Sequence, residues 1–288
     1  MGRVWGGFCR IKNQNFKVFK LFFGRVDKLI SILELIGSWV INFLEFWGGW
    51  FLLSIKAILL AFKKPIRLKR YIYYLASIGA DSLPVIAITS FFTGGVIALE
   101  TYSAFHRFNA EYMIGAVVAI AMAKELAPVL SALLVAARSG SAMAAEIGTM
   151  KVTEQIDALE MMAVNPIKYL ITPRLYTSVV AVTILTLVSD IVGYIGGYVV
   201  SVYLFHVNKT LYWRYTQNIA EMNDVYHGLI KAAVFGFLLA TISCLYGYYT
   251  KGGAKGVGES TTKAVVTSSI AILIFDYLIT YILRLFNL

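Results

Sequence analysis

The sequence predicts an all-α, polytopic integral membrane protein, with an N-terminal interfacial elbow helix, five transmembrane helices and a helix on the cytoplasmic side. Hydrophobic residues make up 59% of the chain and charged residues only 15%. Several apolar runs reach the roughly 20 residues that a helix needs to cross a bilayer. The basic residues concentrate in alternate connections between these runs, which is the distribution expected of cytoplasmic loops.

The composition also excludes several classes of protein. The net charge of +10 does not indicate nucleic-acid binding, because the basic residues flank apolar runs, where membrane topology accounts for them. Cys9 and Cys244 are the only cysteines, too few for a disulfide framework or a metal-ligand pattern. The chain contains no nucleotide-binding, metalloprotease or esterase motif. We therefore predict no catalytic residue, no metal and no cofactor on this chain.

The first 70 residues are predicted to form a basic segment followed by the elbow helix. Residues 1–28 carry scattered Lys and Arg between Phe and Val, which fits a membrane-surface segment and a disordered tail equally well. Residues 29–62 are apolar but include Glu34, Glu45 and Lys56. A full span is the weaker alternative here, because each charge at the bilayer centre costs about 2.5–3.5 kcal/mol.

Residues 71–288 are predicted to form the membrane domain. Its five spans are expected at about 82–99, 112–137, 175–205, 227–250 and 264–283. In the third span, Gly193, Gly196 and Gly197 predict a closely packed helix face. Connections 63–70, 138–174 and 251–263 hold twelve Lys and Arg, whereas the opposite side holds four. This asymmetry places the three basic connections in the cytoplasm and the C-terminus outside.

Two of these connections contain distinctive patterns. The segment KGGAKGVG at 251–258 lacks the preceding strand and the GK[ST] ending of a phosphate-binding loop, so we predict a flexible turn. In the connection 138–174, apolar residues recur at helical spacing, at Val152, Ile156, Leu159 and Ala163. Acidic residues occupy its other faces, at Glu154, Asp157 and Glu160.

The second pattern predicts a short amphipathic helix. Thr149 or Thr153 is expected to cap its start, and Asn165-Pro166 to end it. A helix of this kind between two spans suits docking to a soluble partner. Binding to lipid headgroups is the alternative, which the acidic face disfavours because anionic lipid attracts Lys and Arg.

Ionisable residues within the predicted spans are the other informative feature. They are Lys124, Glu125, Asp190, Lys231 and Asp276. Such groups are costly in a membrane, so they face protein or water and usually pair. Lys124 and Glu125 are adjacent and therefore project about 100° apart on a helix. Two interpretations stay open: a cavity for a zwitterionic or anionic headgroup, or ion pairs that hold the bundle together, with Lys231 and Asp276 as one couple.

Five spans without an internal repeat fit a transporter half that dimerises and takes energy from a separate motor subunit. An ion-gradient-driven secondary transporter is less favoured, because such proteins are commonly built from repeated halves. A membrane adaptor that binds the motor but transports nothing is the third hypothesis.

The sequence of residues 124–174 carries a family resemblance. The run KELAPVLSALLVAARSGSAMAAEIGTMKVTEQIDALEMMAVNPIKYLITPR resembles the MlaE-family permeases of MCE-type ABC transporters. Its most specific block is AEIGTMKVTEQIDALEMMAVNP, residues 145–166. The likeness continues through TTKAVVTSSIAILIFDYLIT at 261–280 and covers about residues 68–288. The first 60 or so residues match only in character.

The resemblance implies the partners and location of the chain. Family members move phospholipid or related lipids between the inner membrane and the outer envelope, and a plastid-envelope branch exists. The resemblance implies that this chain forms a homodimer in the bacterial inner membrane. The plastid inner envelope is the alternative location. Two copies of a cytoplasmic ABC ATPase would bind ATP and Mg²⁺, and MCE-domain subunits would lie on the periplasmic side, where the C-terminus is expected.

The resemblance also implies roles for individual residues. The family's ATPase-coupling helix matches residues 152–164, and its implied contact residues are Val152, Glu154, Gln155, Ile156, Asp157, Leu159 and Glu160. The family's charged pair near the lipid pocket matches Lys124 and Glu125, and charged positions in its last two spans match Lys231 and Asp276; all four are implied to take part in lipid binding or translocation. Positions lining the lipid cavity match Ile97, Phe105, Phe108 and Leu126.

The chain departs from the family pattern at three positions. Lys124 replaces the usual Arg and so loses bidentate phosphate recognition. Ala127 replaces a Gly in the same motif, and Glu259 stands where a basic residue is commoner. These departures bear on headgroup preference more than on the overall role.

Overall fold

The computed structural model describes residues 37, 38, 40, 41, 44–60 and 68–285, and all regular secondary structure within these ranges is helical. The predicted basic segment 1–28 and residues 61–67 lie outside them. The chain divides into two units, Met1–Leu52 and Leu53–Leu288. In the first unit, residues 44–52 are helical, and the rings of Trp47 and Trp50 meet edge to face at 5.4 Å. The interfacial placement of this helix stays a prediction.

In the second unit, residues 53–60 are helical, and ten further helices lie within the described residues 68–285. We number these ten helices here. They are α1 Leu68–Leu75, α2 Leu83–Phe105, α3 Ile114–Ala121, α4 Ala127–Val135, α5 Ser141–Val152, α6 Gln155–Met161, α7 Thr172–Val199, α8 Lys209–Ile219, α9 Met222–Tyr248 and α10 Gly253–Leu285. Turns of π-helix join several of them into longer rods, for example Met122–Leu126 between α3 and α4.

Among the residues that the structure describes, five rods are long and apolar enough to cross a membrane. They are Lys69–Phe108, Glu111–Val152, Ile167–Leu204, Met222–Tyr248 and Gly253–Leu285. The predicted all-α polytopic fold with five spans is therefore confirmed. Most rods are several residues longer than predicted, because hydropathy marks only the bilayer-length part of a helix, whereas its backbone hydrogen bonds continue into polar flanks.

Helix α7 is central to the bundle and packs closely against α2 and α9. A Cβ atom added at Gly94 would lie 1.8 Å from the carbonyl oxygen of Gly193, and one at Gly196 would lie 2.0 Å from that of Phe91. The hydroxyl groups of Ser90 and Ser189 hydrogen-bond across the same contact at 2.6 Å. The predicted glycine face is therefore confirmed, because small residues let the two backbones approach.

Two predicted loops are largely helical. Gly252 and Gly253, with φ of 89° and 66°, make the turn after α9, and α10 begins at Gly253. The prediction of a flexible turn over 251–258 is therefore wrong for most of that segment, because Gly252 and Gly253 complete the reversal of chain direction. The predicted outer loop 206–226 contains α8, which Asn208 caps by accepting hydrogen bonds from the amides of Thr210 and Leu211. An Asn before a helical segment is a signal that sequence reasoning missed.

The predicted amphipathic helix 152–164 is shorter than expected. Val152 is the last residue of α5, and Glu154 adopts the left-handed region at φ 60°, so α6 begins only at Gln155. The prediction that Thr149 or Thr153 caps it is wrong, since the Thr153 hydroxyl donates to the Thr149 carbonyl within the preceding helix. The helix ends at Met161, and the side chain of Asn165 accepts hydrogen bonds from the amides of Ile167 and Lys168 in the next rod.

Candidate functional site

A buried lysine lies among three of the spans. Lys231 of α9 is 1% exposed. Its Nζ lies 2.5 Å from Oε2 of Glu125 in the π-turn Met122–Leu126, and 3.0 Å from Oδ1 of Asp276 in α10. The predicted Lys231–Asp276 couple is present, and Glu125 joins it. One ammonium group therefore pairs with carboxylates from two other rods. Such pairing is expected because an unpaired charge is costly in a membrane.

The neighbouring residue Lys124 has a different partner. Its Nζ lies 2.7 Å from Oδ1 of Asp224, whose other carboxylate oxygen accepts a hydrogen bond from the Glu221 amide at the start of α9. Lys124 and Glu125 thus project in different directions, as their adjacency on a helix predicted. The sequence predicts that Asp224 lies in an outer loop, and only its contact with Lys124 identifies it as part of this site.

A cavity of about 250 Å³ lies beside these ion pairs. It is lined by Lys124, Glu125, His227, Lys231, Thr280, Leu283 and Arg284. The side chains of Lys124 and Glu125 keep 38% and 43% of their surface exposed, so both charges remain accessible although each is paired. The cavity therefore offers groups of both signs to a charged or zwitterionic ligand.

The four predicted apolar lining residues do not line this cavity. Ile97 and Leu126 pack against a buried cluster formed by Ala98, Ile114, Val118, Met122, Ala127 and Tyr212. Phe108 is 80% exposed, and Phe105 is half-buried at the end of α2. Leu126 follows Glu125 directly, and the turn of the helix carries its side chain toward the core rather than toward the charges. A lipid-lining role for these four stays a prediction.

The residues of the predicted coupling segment divide into buried anchors and exposed groups. Ile156 is fully buried, and Val152 and Leu159 are half-buried. Oδ1 of Asp157 lies 2.7 Å from Nζ of Lys151 and accepts its hydrogen bond. Glu160 accepts a hydrogen bond from the Tyr248 hydroxyl at 3.3 Å.

Glu154 and Gln155 are exposed, as are Met161 and Met162 just beyond the predicted set. Helix α6 is therefore anchored on one side and presents acidic, amide and thioether groups on the other.

A second charged network at the same end of the bundle was not predicted as a unit. The Arg174 guanidinium is fully buried, lies 2.7 Å from Oε1 of Glu146 and 4.5 Å from the centre of the Tyr74 ring. Nearby, Arg138 contacts Asp81 at 3.1 Å. From the sequence, both arginines are predicted only as basic residues of a cytoplasmic connection. The network joins the first three rods to one another.

The fold and the site define the class of this protein: a multi-pass, all-α membrane protein with paired ionisable residues inside its spans. Comparison with known proteins identifies the family. The model of the family "Permease MlaE" matches residues 71–282. The chain belongs to the MlaE permease family, and the predicted resemblance is confirmed. The chain is accordingly a permease subunit rather than an enzyme.

Named relatives agree with this family. The chain is 48% identical over 255 residues to a probable ABC transporter permease protein of Rickettsia typhi, covering 88% of this chain and 98% of that protein. It is 38% identical over 225 residues to the chloroplastic protein TRIGALACTOSYLDIACYLGLYCEROL 1 of Arabidopsis thaliana, covering 78% and 64%. It is 37% identical over 207 residues to the intermembrane phospholipid transport system permease protein MlaE of Haemophilus influenzae, covering 72% and 79%.

Proposed function

We propose that this chain is the membrane permease of an ABC transporter that moves phospholipid between the inner membrane and the periplasm or outer membrane. The observation that carries the proposal is the match to the MlaE family along residues 71–282, with a phospholipid-transport permease among the relatives. The accessible charges of both signs at Lys124 and Glu125 support it, since a phospholipid headgroup carries a phosphate and often an amine. Neither an ion-gradient carrier nor a passive adaptor is favoured by any relative described above.

The charged cavity suggests how a headgroup is handled. A phosphate approaching Lys124 competes with Asp224, and an amine approaching Glu125 competes with Lys231. Such exchange keeps each charge partnered while lipid passes, which is necessary because an unpaired charge costs several kcal/mol in this environment. The cavity of about 250 Å³ suits a headgroup rather than a whole lipid, so the acyl chains extend beyond it.

Energy comes from a separate cytoplasmic ABC ATPase, which binds ATP and Mg²⁺, and this chain itself binds no cofactor or metal. The ATPase docks on the exposed groups of α6, and the buried Ile156 passes the motion to the bundle. The complete assembly contains a second copy of this chain and an MCE-domain protein on the periplasmic side. The distribution of basic residues supports an inner-membrane location with a periplasmic C-terminus. A plastid inner envelope is the alternative, supported by the Arabidopsis relative.

Reconstitution tests the transport function. The chain is purified with its ATPase, placed in vesicles, and transfer of labelled phospholipid to acceptor vesicles is followed with ATP and with a non-hydrolysable analogue. We expect phospholipid to co-purify, by mass spectrometry, and transfer to require hydrolysis. Transfer driven by an ion gradient without ATP would indicate a secondary transporter, and a complex that carries no lipid would indicate an adaptor.

The docking role of α6 is tested with Glu154→Lys combined with Met161→Lys. Both side chains are exposed, and Met161 is 90% exposed, so the substitutions change the docking surface without removing a buried contact. Asp157 is avoided because it pairs with Lys151. We expect ATPase recovery on co-purification to fall about tenfold, equivalent to roughly 1.4 kcal/mol. Met222→Lys, at a position 74% exposed on α9, is the matched control. Unchanged recovery of the ATPase with the double variant would show that α6 is not part of the ATPase interface.

A further inference from the structure

Three cationic side chains line the cavity beside the ion pairs: Lys124, Lys231 and Arg284. The two lysines have carboxylate partners. Nζ of Lys124 lies 2.7 Å from Oδ1 of Asp224, and Nζ of Lys231 lies within 3.0 Å of two carboxylates. Arg284 differs from both, since none of the ion pairs within the described residues 68–285 includes it. The cavity wall therefore contains one guanidinium group that is not paired with a carboxylate of those residues.

The three cations are not equivalent for a phosphate that enters this cavity. At Lys124 or Lys231 the phosphate must displace a carboxylate that lies within hydrogen-bond distance of the ammonium group. At Arg284 it displaces no carboxylate of the described residues. The guanidinium group also presents a planar fork of N–H donors that can bind two phosphate oxygens at once, whereas an ammonium group acts as a point charge. Arg284 is therefore the most favourable of the three cations for a phosphate.

The charge of the paired cluster also favours a role for Arg284. The two lysines of this cluster share three carboxylates, so the cluster has one negative charge in excess. The carboxylates are those of Glu125, Asp224 and Asp276. An excess negative charge repels a phosphate that approaches the paired groups. Arg284 is the further cation among the described lining residues, and with His227 neutral it brings the formal charge around the cavity to zero.

The position of Arg284 in α10 suits contact with a lipid. It lies in the last turn of this helix, and its side chain is exposed. The neighbouring apolar residues Tyr281, Ile282 and Leu285 are exposed as well, on a rod long enough to cross a membrane. In a bilayer, exposed apolar side chains contact acyl chains, and basic side chains near helix ends extend to the headgroups, where the lipid phosphates lie. This end of α10 therefore places a phosphate donor beside a surface suited to hydrocarbon.

We propose that Arg284 binds the lipid phosphate in this cavity and thereby favours phospholipids over lipids that have no phosphate. The guanidinium group donates hydrogen bonds to the phosphate oxygens before any exchange of partners at Lys124, and the acyl chains extend over the exposed apolar residues at the end of α10. The proposal rests on the proposed function in that the ligand is a membrane phospholipid. Its test measures binding without ATP or the ATPase, so it can fail while the transport test succeeds.

The test uses the full chain in nanodiscs of equal parts phosphatidylglycerol and galactosyldiacylglycerol, which carries a sugar in place of the phosphate. Lipid retained after transfer to detergent is counted by native mass spectrometry. We expect wild type to retain the phospholipid over the galactolipid by roughly tenfold, and Arg284→Gln to lower this preference about fivefold. The control is Arg214→Gln, which removes the same charge at an exposed position on α8 that does not line the cavity, and which should keep the preference.

The outcomes separate this proposal from the proposed function. The proposal is overturned if wild type shows no preference, if Arg284→Gln keeps the preference of wild type, or if both variants lose it equally. Wild type that retains neither lipid would overturn the proposed function and this proposal with it. A merely structural role of Arg284 would lower the unfolding temperature without changing the ratio of the two lipids, and that result also overturns the proposal.

Arg284→Lys is the second variant, and it decides the question if Arg284→Gln folds poorly. It keeps the charge and a long side chain but loses the planar fork, so we expect the preference for phospholipid to fall about threefold. A preference equal to that of wild type would overturn the proposal. Inorganic phosphate in excess should displace little phospholipid from wild type, because free phosphate has no acyl chains to contact the apolar surface. Displacement would assign the site to free phosphate instead of lipid.

Discussion

The Nζ atom of Lys231 and the Oε2 atom of Glu125 lie 2.5 Å apart, although 106 residues separate them in the chain. Asp276 approaches the same ammonium group at 3.0 Å. Three rods are thus held at one point by a buried cation, and the cavity with accessible charges lies directly beside it. A charged group that entered this cavity and reached Glu125 would compete for the contact that joins these rods.

Removing the ammonium group should destabilise the bundle. Lys231→Met keeps most of the side-chain volume but leaves Glu125 and Asp276 without their shared cation, and breaking a buried pair typically costs about 3–5 kcal/mol. We expect a clear fall in the unfolding temperature in detergent. The control is Lys263→Met, whose partner Glu259 is 3.8 Å away with both side chains mostly exposed, and which should cost about 0–1 kcal/mol. Equal losses in the two variants would show that burial of the Lys231 cluster adds nothing to stability.

Variants of Lys124 and Asp224 can show whether Lys124 contacts lipid or only stabilises the structure. We expect Lys124→Ala to weaken phospholipid transfer in reconstituted vesicles while the complex still assembles, because 38% of the side chain is exposed to the cavity. Glu125→Ala should act in the same direction.

The swap Lys124→Asp with Asp224→Lys is the sharper variant. It restores an ion pair but moves the positive charge to the other helix, so the complex should assemble while phospholipid transfer stays weak. Recovery of transfer by the swap would make Lys124 a structural residue. Lys124→Arg, which keeps the charge in place and adds bidentate donors, should retain transfer.

The close contact between α2 and α7 predicts a strong effect of a single methyl group. In Gly94→Ala the new Cβ atom would lie 1.8 Å from the carbonyl oxygen of Gly193, so the two helices must separate. Overpacking of this kind costs about 1–3 kcal/mol, which thermal unfolding in detergent will detect. Gly258→Ala on α10 is the control: no atom lies within 4 Å of its new Cβ, and helix propensity favours Ala there by up to about 1 kcal/mol. If Gly94→Ala were as stable as this control, the contact would be looser than described.

The parts of the fold that follow from nearby residues were predictable. Apolar runs of bilayer length identified the five spans, and glycine spacing identified the packed face of α7, because both depend on residues within a few turns of each other. Predictions about the segment between α5 and α7 were less accurate. Its apolar periodicity continues across Thr153 and Glu154. The backbone of Glu154, however, adopts the left-handed region and interrupts the helix. The spacing of apolar residues gives no signal of such a break.

The sequence by itself determined that residues 68–285 contain five helices long and apolar enough to cross a membrane, and that these helices carry charges that must be partnered. It also carried enough of the motif around residues 145–166 to identify the family. Only the tertiary structure decided that Lys231 joins Glu125 as well as Asp276, that Lys124 pairs with Asp224, and that Asp190 has no partner among the described residues. The physical reason is that a charge requires a partner within about 4 Å in space. Helical periodicity predicts which way a side chain points, but not which distant helix lies opposite it.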